Sequence, residues 1–156
     1  MEPAEYFALT QLYAAYAAAV DSGNWDLWPD FFTDDCSYRL QPRENHERGF
    51  PLATLSFVSK GMLRDRVYGI VNTLYHQPYY QCHIVSGLFI RDQADGAILT
   101  QANYAVFRTK QNEVSEVFNV GRYLDTIVED DGRLRFREKI CVFDSELIPN
   151  SLIYPL

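Results

Sequence analysis

The stretch Val117–Asp144 limits the fold of this chain more than any other. It reads VFNVGRYLDTIVEDDGRLRFREKICVFD, two runs of alternating side chains joined by Glu129-Asp130-Asp131-Gly132. Asp tolerates left-handed backbone and Gly adopts positive φ without steric cost, so this joint is a tight turn. After the turn, Leu134, Phe136, Ile140 and Val142 share one face, and Arg135, Arg137 and Lys139 share the other. A period of two with one apolar side predicts a strand that is dry on one face and wet on the other. Before the turn, Tyr123, Asp125 and Ile127 lie on one face, with Arg122, Leu124, Thr126 and Val128 opposite. That mixture predicts protein on both faces, one of them in another subunit. Glu138 interrupts the apolar side of the second run, and a buried carboxylate needs a partner; Arg108 and Arg122 on adjacent strands are the candidates, a pocket acid being the alternative.

The rest of the chain supplies the other layer. Pro3 suits a first helical turn, and Leu9, Leu12, Tyr13, Tyr16, Ala17 and Val20 recur at helical spacing, which predicts a helix over residues 4–20. Asn24 caps a second, short helix through Phe32 with Leu27, Trp28 and Phe31 turned inward. Residues 36–40 and 55–59 read as strands, with a charged loop over 41–50 between them. A third helix follows, with Leu63, Val67, Ile70, Val71 and Leu74 on one stripe. From Tyr80 the pattern is strand after strand, about 81–91, 98–109, 114–127 and 133–145, with turns at Asp95-Gly96 and Gln111-Asn112. Helices first and long antiparallel strands after them make an α+β fold. A twisted long-stranded sheet wrapped around the helices forms a cone with an apolar interior. At 156 residues the chain reads as one domain, 1–156.

Composition excludes several functions. A net charge of −7 disfavours nucleic acid, whose binding rests on neutralised phosphates. The opening MEPAEYFALT has no basic segment ahead of a long apolar run, which predicts a cytoplasmic chain without a signal peptide. The three cysteines, Cys36, Cys82 and Cys141, are far apart and read as reduced thiols. No Cys is followed closely by a His, as a Rieske cluster requires, and a non-haem iron triad would have to bring a carboxylate together with two of His46, His76 and His83, of which His46 lies in a charged loop. Phosphate-loop, dinucleotide and nucleophile-elbow motifs are also missing. Eleven Tyr, ten Phe and two Trp are a surplus that an aromatic core or an extended interface would use.

Four motifs in order carry a resemblance. AVDSGNWDLWPDFFTDDCSYRL (19–40), GMLRDRV (61–67), CHIVSG (82–87) and GRYLDTIVEDDGRLRFREKICVFDS (121–145) resemble the small (β) subunits of aromatic-ring-hydroxylating oxygenases. The likeness is greatest to systems acting on aromatic carboxylates such as salicylate, terephthalate or anthranilate. It implies a cystatin-like, NTF2-like cone. It implies a catalytic α subunit holding a Rieske [2Fe–2S] cluster and a mononuclear Fe(II), with electrons from NAD(P)H through a reductase. It also implies an α3β3 hexamer around a β trimer, and no catalytic, cofactor or metal residue in this chain. Relatives often carry Arg where Cys82 and Lys139 stand, which implies that these positions serve local polar networks.

The same fold hosts metal-free enzymes, so fold alone does not decide function. The alternative is a stand-alone NTF2-like dehydratase or isomerase using His83, Asp21, Tyr16 and Tyr38, with His83 moving protons near neutral pH. A third reading is a binding module of the same shape without a reaction. Beyond Glu146 no charged side chain occurs, and an uncovered apolar tail favours association. The expectation is that residues 152–156 dock at a subunit contact with Tyr154 as anchor, packing on the chain's own helices being the alternative.

Overall fold

The computed structural model describes residues 2–147 and 152–156. Helix α1, Pro3–Ser22, buries Leu9, Leu12, Tyr13, Tyr16, Ala19 and Val20 at the expected spacing. Its first turn is closed by the Glu5 carboxylate, which accepts the Glu2 N–H at 2.9 Å. The predicted second helix is a 3₁₀ segment, Trp25–Phe31. Three residues per turn align Trp25, Trp28 and Phe31 on one side. Leu27, expected inward, is therefore 45% exposed.

Strand β1 covers Phe32–Pro42, well beyond the predicted 36–40, and a short helix α2, Arg43–Glu47, forms where a loop was expected. Strand β2 is Leu55–Phe57, and α3 is Lys60–Tyr68, capped by the Ser59 hydroxyl, which accepts the Met62 N–H. A π-helical turn, Gly69–Thr73, follows directly. Its wider turn breaks the helical phase. Val71 and Leu74, predicted on the buried stripe, stand 63% and 40% exposed as a result.

Strands β3 (Tyr79–Ala94), β4 (Ala97–Lys110), β5 (Glu116–Asp130) and β6 (Arg133–Phe143) complete one six-stranded sheet in the order β2-β1-β6-β5-β4-β3. All neighbours are antiparallel except β1 and β6, which run parallel. The β3–β4 and β5–β6 hairpins turn on Asp95-Gly96 and Asp131-Gly132, all four residues at positive φ as a two-residue turn requires. Bulges interrupt β3 near Gly87, β4–β5 at Phe118 and β5–β6 at Arg137. Each bulge bends and twists its strand, and the sheet curves around α1. Tyr6 on α1 donates its hydroxyl proton to the Leu88 carbonyl on β3, and Tyr13 reaches β4 and β5. Gly121 permits the closest crossing: a Cβ there would lie 2.0 Å from the Val142 carbonyl oxygen.

The bulge at Arg137 overturns the simple alternation of the last strand. Ile127 pairs with Phe136 but Thr126 pairs with Glu138, so Arg137 has no partner across the ladder. Side-chain parity reverses at that point. Lys139, expected on the wet face, is fully buried beside Cys141 and Phe143. Glu138, expected inside, sits at the surface and pairs with Arg39 at 3.4 Å rather than with Arg108 or Arg122. Those two arginines pair with Glu116 and Glu47.

The aromatic surplus is used mostly in the interior. Phe136 meets Tyr16 edge-on at 5.5 Å between centroids and Tyr13 at 5.6 Å, and Trp28 meets Tyr38 edge-on at 5.3 Å. Such contacts add about 0.5–1.5 kcal/mol each beyond area burial. Residues 152–156 fold back into this same core: Tyr154 and Leu156 are buried within their own chain. The subunit-contact expectation for this segment is therefore corrected, since the uncovered apolar groups find cover inside the cone.

Candidate functional site

Three groups of polar side chains lie inside the curved sheet. The first is an ion pair with neither member exposed: Lys139 Nζ lies 3.1 Å from Asp125 Oδ2. The same oxygen accepts the Tyr13 hydroxyl proton at 2.6 Å, and Thr100 Oγ1 lies 2.8 Å from the Tyr13 oxygen. The ammonium sits 3.4 Å from the centroid of the Tyr123 ring, with the Phe136 and Tyr16 rings at 4.5 and 4.6 Å. Burial pushes the Asp125 carboxyl upward, and Lys139 opposes that shift. Burial, then the Asp125 charge, raises Tyr13, so its phenol stays neutral and donates. The pair is enclosed by aromatic faces and anchors the cone.

The second group is Tyr16 and Tyr38. Both phenols are raised well above their ordinary value by burial. Their hydroxyls converge on Leu156, whose oxygen accepts from Tyr16 at 2.8 Å and from Tyr38 at 3.2 Å. The Leu156 N–H in turn donates to the Tyr38 oxygen at 3.0 Å, and Trp28 Nε1 donates to Tyr16. The ring of Tyr154 lies between Trp25 and Tyr79, at 4.5 and 4.4 Å, and its hydroxyl meets His76 Nε2 at 2.8 Å.

The third group is Asp21, at the end of α1, and His83 on β3. Asp21 Oδ1 lies 2.5 Å from His83 Nδ1, and Asp21 Oδ2 accepts the His83 backbone N–H at 2.8 Å. A carboxylate only accepts, so Nδ1 carries the proton. Nε2 is buried without a partner. The four candidate residues therefore form two separate pairs, and the chain's own residues 152–156 already hold the two phenols.

Asp21 fastens the end of α1 to strand β3 through both of its oxygens. His83→Ala is expected to destabilise the chain by roughly 1–3 kcal/mol, the range for a buried polar group that loses its partner. Thermal denaturation measures this. Turnover of the oxygenase complex that the resemblance implies should stay within a few-fold; a loss of several orders of magnitude at unchanged melting temperature would make His83 catalytic.

Comparison with known proteins gives this geometry its context. The SnoaL-like domain family matches residues 4–139. The small subunit of anthranilate 1,2-dioxygenase from Burkholderia cepacia is 33% identical over 151 residues, 97% of this chain and 94% of that one. The chain belongs to the small (β) subunits of aromatic-ring-hydroxylating dioxygenases. A second small subunit agrees, the β1 subunit of the terephthalate 1,2-dioxygenase terminal oxygenase from Comamonas sp., 33% identical over 92% of this chain and 93% of that one. A crystal structure of a β subunit assigned to an aromatic-ring-hydroxylating dioxygenase from Novosphingobium aromaticivorans superposes with a TM-score of 0.90. It is 29% identical, with 99% of this chain and 100% of that chain covered.

The cluster and iron that the family resemblance implies do not fit the residues of this β subunit. Among the described residues, no three His, Cys, Asp or Glu side chains converge as metal ligands would. His83 Nδ1 is engaged by Asp21, and His76 by Tyr154 and the Leu74 carbonyl. Burial pushes the Cys36 and Cys141 thiols up to about 11 and about 12, which disfavours the thiolate a metal needs.

Sequence reasoning placed Asp125 on one face with Tyr123 and Ile127, without assigning that face to the interior, and put Lys139 on the wet face. Glu138 within an apolar run was the available signal, since skipping one residue after Phe136 places Lys139, Cys141 and Phe143 in phase with it.

Proposed function

We propose that this chain is a single-domain, non-catalytic small subunit of a cytoplasmic oxygenase that hydroxylates an aromatic carboxylate. In this reading the catalytic α subunit carries the Rieske [2Fe–2S] cluster and the mononuclear Fe(II), electrons come from NAD(P)H through a reductase, and the assembly is an α3β3 hexamer around a β trimer. The observation that carries the reading is the one-third identity, over nearly the whole of both chains, to an anthranilate dioxygenase small subunit. The interior supports it: the tyrosines that a metal-free enzyme of this shape would turn toward substrate hold residue 156. Among the described residues, no helix is long and apolar enough to cross a membrane, which accords with a cytoplasmic protein.

Co-expression with a large oxygenase subunit, followed by affinity capture on this chain alone, tests the proposal. The expected result is a red-brown complex with equal numbers of the two chains and a mass near that of a hexamer. Capture of this chain alone, with turnover of an aromatic acid by the large subunit undiminished in its absence, would overturn it.

A further inference from the structure

A closed ring of three copies cannot be built from one self-complementary patch; each copy must present two different surfaces that fit one another. The described surface carries such a pair, and the two are opposite in charge. The first lies on the face of the sheet turned away from α1. Helix α2 lies against β1 and β6, and its Glu47 pairs with Arg122 at 3.4 Å. Over β3 and β5 the same face is uncovered, and Ile84, Phe89 and Val117 are each more than half exposed. The row through Phe89 crosses Gln101, Leu124 and Ile140 to reach Arg39. Arg91 follows at a bulge that leaves it without a cross-strand partner. Burial lowers the pKa of His46 on α2, and the charges of Arg122, Arg39 and Arg91 lower it further against the opposing Glu47. Arg39 and Arg122 each have one carboxylate, Glu138 and Glu47. Among the described residues Arg91 is in no ion pair, so this face keeps an excess of positive charge beside exposed apolar side chains.

The second surface lies where the first turns of α1 meet the ends of the two hairpins. Ala4, Ile98 and Leu134 line a cavity of about 540 Å³ there, together with Glu5, Asp95 and Glu129. Among the described residues none of these three carboxylates is in an ion pair. Phe7, on the same turns of α1, is 65% exposed. Carboxylates around an apolar floor suit an arginine, which lays its methylene stem on the floor and keeps its charge at the rim.

We propose that copies of this chain join head to tail, the Phe89–Arg91 face of one copy seated on the Glu5–Asp95–Glu129 end of the next. The proposal rests on the trimer reading above and assigns the surfaces that meet in it. Pairing either surface with itself would set like charges against each other, which disfavours a twofold dimer through these patches. A ring uses both surfaces of every copy and leaves neither free for further growth.

Sedimentation of the full chain at low salt tests this, with capture of a co-expressed large oxygenase subunit as a second readout. The unaltered chain is expected to sediment as a trimer that loosens as salt is raised. Arg91→Glu and Glu129→Arg should each weaken self-association at least about tenfold. Their circular dichroism should stay unchanged, because neither side chain is in an ion pair within its own copy. The double variant Arg91→Glu, Glu129→Arg restores an opposite-charge pair across every contact and should associate more tightly than either single variant. A trimer that neither reversal weakens, or a double variant whose loss is the sum of the two single losses, would overturn the proposal and leave the trimer reading standing. Reversals that spare the trimer but abolish capture of the large subunit would assign these surfaces to that partner and likewise overturn it. An unaltered chain that stays monomeric or dimeric would overturn the trimer reading and the proposal together.

Discussion

Replacing Lys139 by methionine is expected to destabilise the chain by about 3–5 kcal/mol, although the apolar stem is retained and no large cavity opens. The loss is electrostatic: Asp125 remains fully buried with its counter-charge gone, and an uncompensated buried charge is among the most costly defects a core can carry. In a domain of this size each kcal/mol moves the melting temperature by roughly 2–4 °C, so calorimetry resolves the effect. The double variant Lys139→Met, Asp125→Leu should recover most of the loss, because an apolar pair needs no desolvation compensation. The pH dependence has a definite sign. Burial already raises the Asp125 carboxyl in the folded chain, and Lys139 restrains that rise. A carboxyl whose folded pKa is raised stabilises the fold below its unfolded value, and that contribution is lost as pH rises through the folded value. The deficit of Lys139→Met should accordingly be smallest below about pH 4, near the unfolded carboxyl pKa, and grow as pH increases. A deficit that is flat across this range would mean that Asp125 is not the group left unpaired.

Removing residues 152–156 is expected to damage the fold itself. Tyr154 fills the space between Trp25 and Tyr79, and truncating a buried aromatic costs about 3–5 kcal/mol. The deletion also strips Arg66, Gln81, Tyr16 and Tyr38 of their partners on the segment. Chemical denaturation should show a midpoint far below that of the full chain, with Tyr154→Ala alone reproducing a large part of the loss. A truncated chain of unchanged midpoint that only failed to assemble would restore the subunit-contact reading of this segment.

The large elements were legible because they rest on local physics. The helical stripe from Leu9 to Val20 and the Asp-Gly turns at 95–96 and 131–132 leave few alternatives to a curved sheet around α1. Two of the failures share a cause, a break in the repeat. The bulge at Arg137 carried Lys139 inward, and the π-helical turn at 69–73 carried Val71 and Leu74 outward. Periodicity assumes an unbroken repeat, so it misplaces every side chain after an irregularity. The candidate site was legible only in part. Asp21, His83, Tyr16 and Tyr38 were singled out by residue type, but their separation into two pairs depends on long-range packing. The segment that occupies the tyrosines meets them across more than a hundred residues of chain.

The central claim, that the redox centres lie in another chain, is tested most directly by the iron content of this protein purified alone and folded. Elemental analysis and the visible spectrum together should give a colourless protein without stoichiometric iron, including after reconstitution with ferrous iron and sulfide under anaerobic conditions. One tightly bound iron per chain, or the absorption of an iron–sulfur cluster in the isolated protein, would contradict it.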